Sequence, residues 1–360
     1  MRPTDISRKL VVSRVTVSRT ISAIGKENPV EILTGIPGPE SLRSIIQAAQ
    51  KNGVENGDVK VALVAVECFE ALIRDQFGTR AALNAALSVK HSGSRDQFEQ
   101  SSRYKVFKGM SQIIGAESKL WLTCTMYTPN KDDPSTFDLS SIFGPSGLRR
   151  IRPDTPIELT FSAGPQRWSV EGEPSGMTFD LESFCANTLA PITVAQKDGK
   201  VIKTFAPDIG NKDSIYDMLT GVHIPNAMSR IARPSLTRRG ISVIPVIPVA
   251  LLNMDIILHR SIFEGIEPEA FVYNNRGSGK ADFENPDWNI NRMATDDKIM
   301  QINPGLNNLD LQEVPRYRDM VLRMCDVNGY EPAGFRAYRL QIQYPVYGFQ
   351  YVMAFRVPSR

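Results

Sequence analysis

Val12-Ser13-Arg14-Val15-Thr16-Val17-Ser18-Arg19-Thr20-Ile21 is the stretch whose reading decides what the first part of the chain is. Ser is a favoured N-cap, so Ser13 is expected to open a helix running to about Ile24. Upstream, Thr4 or Asp5 is placed to cap a shorter helix ending at Leu10, with Leu10-Val11-Val12 as the turn. Ile6 and Leu10 in the first helix, and Val17, Ile21 and Ile24 in the second, put one apolar stripe on each. Val12 closes the corner between them, and Arg14, Val15, Ser18 and Arg19 fall on the opposite face of the second helix. Two short helices joined in this way make a helix-turn-helix. Its second helix can enter a major groove and offer Arg to guanine edges.

The run from Asp5 to Ile21 resembles the helix-turn-helix of the lactose-repressor family, in which a V-S-x-x-T-V-S-R string opens the recognition helix. The likeness covers about 20 of the 360 residues and speaks only for a DNA-binding element. It implies that Arg14, Val15 and Arg19 read bases and that Thr16 and Ser18 lie near phosphates. Arg8, Lys9 and Ser13 complete the set expected to meet DNA. One position departs from the family pattern. Val11 stands where the turn usually has Gly, and a β-branched residue there carries a steric cost if its φ is positive.

Charge supports the same end of the chain. Residues 1–27 carry six basic and two acidic side chains, a balance of +4, whereas the whole chain is only +3. The positive excess therefore sits on the proposed reading head, where a polyanion would be attracted. One reading helix offers too few base contacts for operator selectivity, so a homodimer on a pseudo-palindrome is expected.

Elsewhere the composition is that of an ordinary globular protein, 42% hydrophobic and 22% charged, and the length allows two or three domains. No apolar run is long enough for a membrane span and no signal pattern opens the chain. Cys68, Cys124, Cys185 and Cys325 are scattered without C-x-x-C spacing, which argues against structural zinc or a disulfide framework and suits a cytoplasmic setting.

After a short Gly25–Pro29 linker the pattern is helical to about Gly115. Helices are expected from Pro39 to Asn52, from Asp58 to a stop at Gly78, from Thr79 to Val89, and from Gly93 to about Ile114. The character changes at Lys119. Strands are expected at residues 120–127 and 157–161, and at 192–196 with 201–205, the last two flanking the hairpin signal Lys197-Asp198-Gly199-Lys200. Residues 241–258 read as two short strands or a strand and a helix, 264–314 as long loops, and 315–326 as a helix. The end alternates strongly: Tyr338, Leu340, Ile342 and Tyr344 are answered by Phe349, Tyr351, Met353, Phe355 and Val357 across a Pro345–Gly348 turn, the pattern of a half-buried hairpin. The fold class is therefore α+β, with a helix-turn-helix at 1–27, a helical supporting or dimerising region at 28–118, and a mixed or antiparallel β-rich body at 119–360.

No catalytic constellation emerges. His91, His223 and His259 lie far apart, and Gly277-Ser278-Gly279-Lys280 has Ala281 where a phosphate loop needs Ser or Thr. Asp132-Asp133 and Asp296-Asp297 sit in polar loops, and no G-x-S-x-G elbow is present. Trp121, Trp168 and Trp288 with the tyrosines of the last strands could line an apolar ligand site or simply form core. These features predict a DNA-binding transcriptional regulator with no cofactor, no metal and no enzymatic activity, whose body senses a small-molecule effector or a partner. The alternatives are an assembly protein whose N-terminal helices pack on a neighbouring subunit, and an enzyme of unrecognised family.

Overall fold

Pro3, Pro29 and Pro39 each stand in the first turn of a helix, where a missing N–H removes a donor that would have no partner anyway. They open α1 (Pro3–Leu10), α3 (Pro29–Gly35) and α4 (Pro39–Lys51), with α2 (Arg14–Ile24) between the first two. The computed structural model describes residues 2–88, 92–152, 155, 157–161, 177–189, 192–197, 200–205, 215–232, 237–275, 279–285, 287–295, 297–302, 306 and 308–358. The expectations for His91, Trp168, the Asp198-Gly199 turn, Gly277-Ser278 and Asp296 lie outside the described residues. The chain divides into two units, Met1–Ser102 and Arg103–Arg360, in place of the three segments expected. Residues 1–27 are not a unit of their own, because their inner face is shared with the helices that follow.

In the first unit α4 leads to α5 (Asn56–Leu72), a single π-helical turn at Ile73–Phe77, and α6 (Arg80–Ser88). Val17, Ala23, Leu42, Val59, Val66 and Leu83 are among the buried apolar side chains of its described residues. Gly78 at φ 71° stops the π turn, and the Thr79 hydroxyl accepts the Ala82 N–H at 3.1 Å to start α6. Arg43 of α4 pairs with Glu70 of α5. Arg80 donates to the Leu33 and Ile36 carbonyls at the end of α3 while its guanidinium lies 4.8 Å from the centre of the Phe69 ring. The short α3 was not anticipated, since the linker reading ran over its opening Pro29. The chain passes into the second unit within α7 (Ser92–Ile114), whose Phe107 and Ser111 are buried.

The second unit is built on a large mixed sheet. Its spine is β1 (Ala116–Pro129) between β2 (Thr136–Arg150) and β11 (Val249–His259), with β15 (Phe335–Gln343) on the far side of β11. β1 and β11 run parallel and the other spine pairs antiparallel. The strands at 157–161, 192–197 and 200–205, here β3, β6 and β7, form a separate three-stranded sheet with the expected 192–205 hairpin. β10 (Arg238–Val243), β12 (Glu269–Asn274) and β16 (Phe349–Arg356) make the core of a third, four-stranded sheet. The alternation of side chains sorts the cores. Trp121, Tyr127, Leu252, Met254, Ile256, Tyr338 and Leu340 meet Ile241, Val243, Tyr351, Met353 and Phe355 of the smaller sheet. The other face, with Leu120, Leu122, Cys124 and Met126, is covered by α8 (Tyr317–Asn328) and by Leu306, Leu309, Leu311 and Val314.

That arrangement corrects the terminal hairpin. β15 pairs with β11 and with β14 (Ile299–Ile302), whereas β16 pairs with β10 and β12, so the Pro345–Gly348 connection crosses between sheets. Both strands are buried on both faces, and the polar residues that suggested a solvent side are partly internal. Asp255 shows why. Its carboxylate is fully buried, takes Arg339 Nε at 2.9 Å and Nη2 at 2.8 Å, and accepts the Tyr317 hydroxyl at 2.6 Å. Arg339 in turn donates to the Asp310 and Leu309 carbonyls. One ion pair thus ties β11, β15, α8 and the loop before it. Residues 264–314, expected as loops, also contain β12, β14 and the short strand Arg292–Met293.

Candidate nucleic-acid interface

Helices α1 and α2 meet through Ser7. Its hydroxyl donates to the Val12 carbonyl at 2.7 Å, and its own carbonyl accepts the N–H groups of Val11 and, at 3.2 Å, Val12. Val11 sits at φ 54°, ψ 44° and is 90% exposed, so the turn does take the left-handed conformation that suits Gly. A β-branched residue held there stores roughly 1–2 kcal/mol. Val11→Gly is expected to stabilise the first unit by about 0.5–1 kcal/mol, the relief being partly offset by the looser unfolded chain. Urea titration followed by far-UV circular dichroism reads this; a lower midpoint would mean that the left-handed turn is not kept in solution.

The helix starts differ in detail from expectation. Pro3 opens α1, and Asp5 acts from the third helical position by accepting the Arg2 N–H at 3.3 Å. Ser13 does occupy the N-cap of α2, but its hydroxyl makes no capping hydrogen bond. On α2 itself Val17 and Ala23 are buried, with Thr16 and Thr20 half-buried between them. Ile21 and Ile24, expected inside, are 40% and 70% exposed. The small Ala23 takes the inner position because it faces Gly35, whose Cα would place a Cβ 3.6 Å away.

The outward face carries the residues named for it. Arg14, Val15, Ser18 and Arg19 are all exposed, and so are Arg8 and Lys9 on the last turn of α1. Arg14, Ser18 and Ser22 follow one another at four-residue spacing along the exposed side. Ser22 was missed, although that spacing made it readable. Arg19 is turned aside: its Nε donates to the Gly35 carbonyl at 3.3 Å, at the end of α3. Burial and the neighbouring Arg19 charge lower the pKa of Arg80, which shares that helix end. The side chains brought together are therefore a basic outer edge on α2 and the end of α1. Thr16 stays half-buried, and its carbonyl accepts the Thr20 hydroxyl at 2.9 Å.

The other candidate chemistry resolves into structural contacts. His223 Nδ1 lies 2.9 Å from the Ser140 hydroxyl, which also accepts Asn328 Nδ2 at 2.7 Å, and burial lowers the His223 pKa. The Ser140 and His223 side chains are both buried. His259 bonds Ser261 at 2.8 Å. Asp133 accepts the Ser135 N–H and hydroxyl, which hold its carboxyl below the usual range, so this pair is a turn. Trp121 is core. Among the described residues no cluster of His, Cys, Asp and Glu could hold a metal, and no helix is long and apolar enough to cross a membrane. In the second unit a cleft of about 630 Å³ is lined by Lys108, Gln112, Glu117, Arg149, Arg150 and Ile215 among others, with Arg149 Nε on Glu117 at 2.9 Å. No known protein family matches the chain, and no curated protein is similar to it.

Proposed function

We propose that the protein is a sequence-specific DNA-binding regulator whose N-terminal helices read duplex DNA and whose second unit senses a signal or partner. The observation that carries this reading is the sidedness of α2. Val17 and Ala23 are spent on packing while Arg14, Val15 and Ser18 face outward at the basic end of the chain. Groove reading needs that face open. Arg14 is assigned to base edges, and Arg19, held toward the end of α3, to a flanking phosphate, with Lys9 and Arg8 on the backbone beside it.

Salt titration tests the proposal. With about four to six phosphates contacted, log K for a duplex should fall with log salt at a slope of roughly −4 to −5 per monomer. Fluorescence anisotropy showing no duplex binding even at low salt would reject it. A second reading has its own support. Val11, Val15 and Ile24 are 90%, 67% and 70% exposed on the same head, as an assembly protein seating it on a neighbouring subunit would have them.

A further inference from the structure

We infer that α5 carries the face through which two copies of this chain pair. The inference rests on the DNA-binding reading only in that two heads are needed for a two-fold site. It is drawn from a different part of the first unit.

Along α5, Val59 and Val66 are buried, whereas Val61 is 72% exposed, Val64 51% and Leu72 36%, with Ala65 and Cys68 exposed between them. Spacings of three and four residues keep these five on one side of the helix, with the exposed Asp58 at its polar start one turn ahead of Val61. A surface helix normally turns polar residues to water. Here the outward side is apolar for more than three turns.

The flanking charges identify the occupant. Lys60 and Glu67, both exposed, stand on the same edge of the stripe, seven residues apart and opposite in sign. In an antiparallel pair related by a two-fold axis, each edge meets the same edge of the other copy. With the axis opposite Val64, Lys60 of each copy comes beside Glu67 of the other. Val61 then comes near Cys68. In a parallel pair the two-fold axis runs along the helices and sets each edge against the opposite edge, so Lys60 and Glu67 of the two copies do not meet. The stripe is thus complementary to itself in one orientation. A single helix face covers less than the roughly 800 Å² per partner of a standard interface, so the pair forms and parts readily. Two heads held on neighbouring half-sites would tighten it by raising the effective concentration.

Oxidative cross-linking of the full chain traps even a short-lived pair. Val61→Cys is expected to form a covalent dimer through Cys68 of the second copy, faster than the wild type and faster than a control cysteine at the exposed Gln47 of α4. Cys68→Ser in the Val61→Cys background should abolish the bond, and Val64→Asp should slow its formation about tenfold or more. Val64 is exposed, and an unchanged far-UV spectrum verifies that the aspartate variant is folded. A Val61→Cys chain that cross-links no faster than the Gln47→Cys control, or one indifferent to Cys68→Ser, overturns the inference. Binding of a short mixed-sequence duplex is measured separately by anisotropy. Cross-linking without duplex binding leaves the face standing and removes the DNA reading; duplex binding without cross-linking does the reverse.

Discussion

Asp255→Ala is expected to destabilise the second unit by about 3–5 kcal/mol, a large share of the 5–15 kcal/mol by which a domain is held folded. The carboxylate is fully buried and Arg339 is 7% exposed, so the variant strands a guanidinium away from water. The Asp310 and Leu309 carbonyls and the face of the Tyr317 ring, 5.6 Å away, remain to it. The Tyr317 hydroxyl loses its acceptor at the same time. The double change Asp255→Leu with Arg339→Met removes both charges and should recover much of the loss, because an apolar pair of similar volume is often as stable as a buried ion pair. Urea unfolding of Asp255→Leu, Arg339→Met and the double variant, read as a cycle, measures the coupling. A loss below about 1 kcal/mol for Asp255→Ala would show that the pair is hydrated in solution, as exposed pairs of that size are.

Val17→Asp should unfold the first unit and abolish DNA binding while the sandwich of the second unit keeps its near-ultraviolet signal. Val17 is 3% exposed, so the substitution buries a carboxylate in the packed interior of the first unit. Arg14→Ala is the informative partner. It touches an exposed side chain, should leave the fold unchanged, and should weaken the preferred site by about 1–3 kcal/mol while flattening discrimination among sites. Lys9→Ala should weaken all sequences by a similar factor, since phosphate contacts position without specifying. Suppose instead that Arg14→Ala binds every duplex as the wild type does and Val17→Asp disrupts a larger assembly. The N-terminal helices would then be a packing element, and the assembly reading would stand.

How far these features could be read from the chain depends on what kind of signal each one leaves. Helix starts at Pro39 and Thr79, the stop at Gly78 and the end of α2 at Ile24 are local events set by a few neighbouring residues, and they were legible. The inner face of α2 was half legible. Periodicity gives weight to large side chains, yet the buried position went to Ala23 because its partner is Gly35, and Ile21 and Ile24 were left outside. Strand positions at the end of the chain were legible from alternation, but their partners were not. Alternation marks which residues share a face and is silent on which strand lies alongside. Arg339 made matters worse: a basic residue among apolar neighbours reads as a solvent side, and only the distant Asp255 turns it inward. In α2, the exposed Arg14 and Ser18 followed from spacing alone. The turning of Arg19 toward Gly35 depends on α3, which the linker pattern concealed.

The crossing from β15 to β16 also sets the order in which the molecule can come into being. Trp121 pairs with Leu252 and Ile241 with Met353, so the large sheet waits for a strand more than a hundred residues downstream, and the smaller sheet lacks its central strand until about residue 356 has been made. Pairings of such long sequence separation are slow to close. The first unit is the opposite case, with α1 beside α2 and α4 beside α5, each helix meeting a partner made moments earlier. On the ribosome the first unit is therefore finished long before the body. For most of synthesis the cell holds a folded head trailing β1 and β2 with their neighbours still to come. Those open strand edges, and not the head, are where a chaperone would be needed.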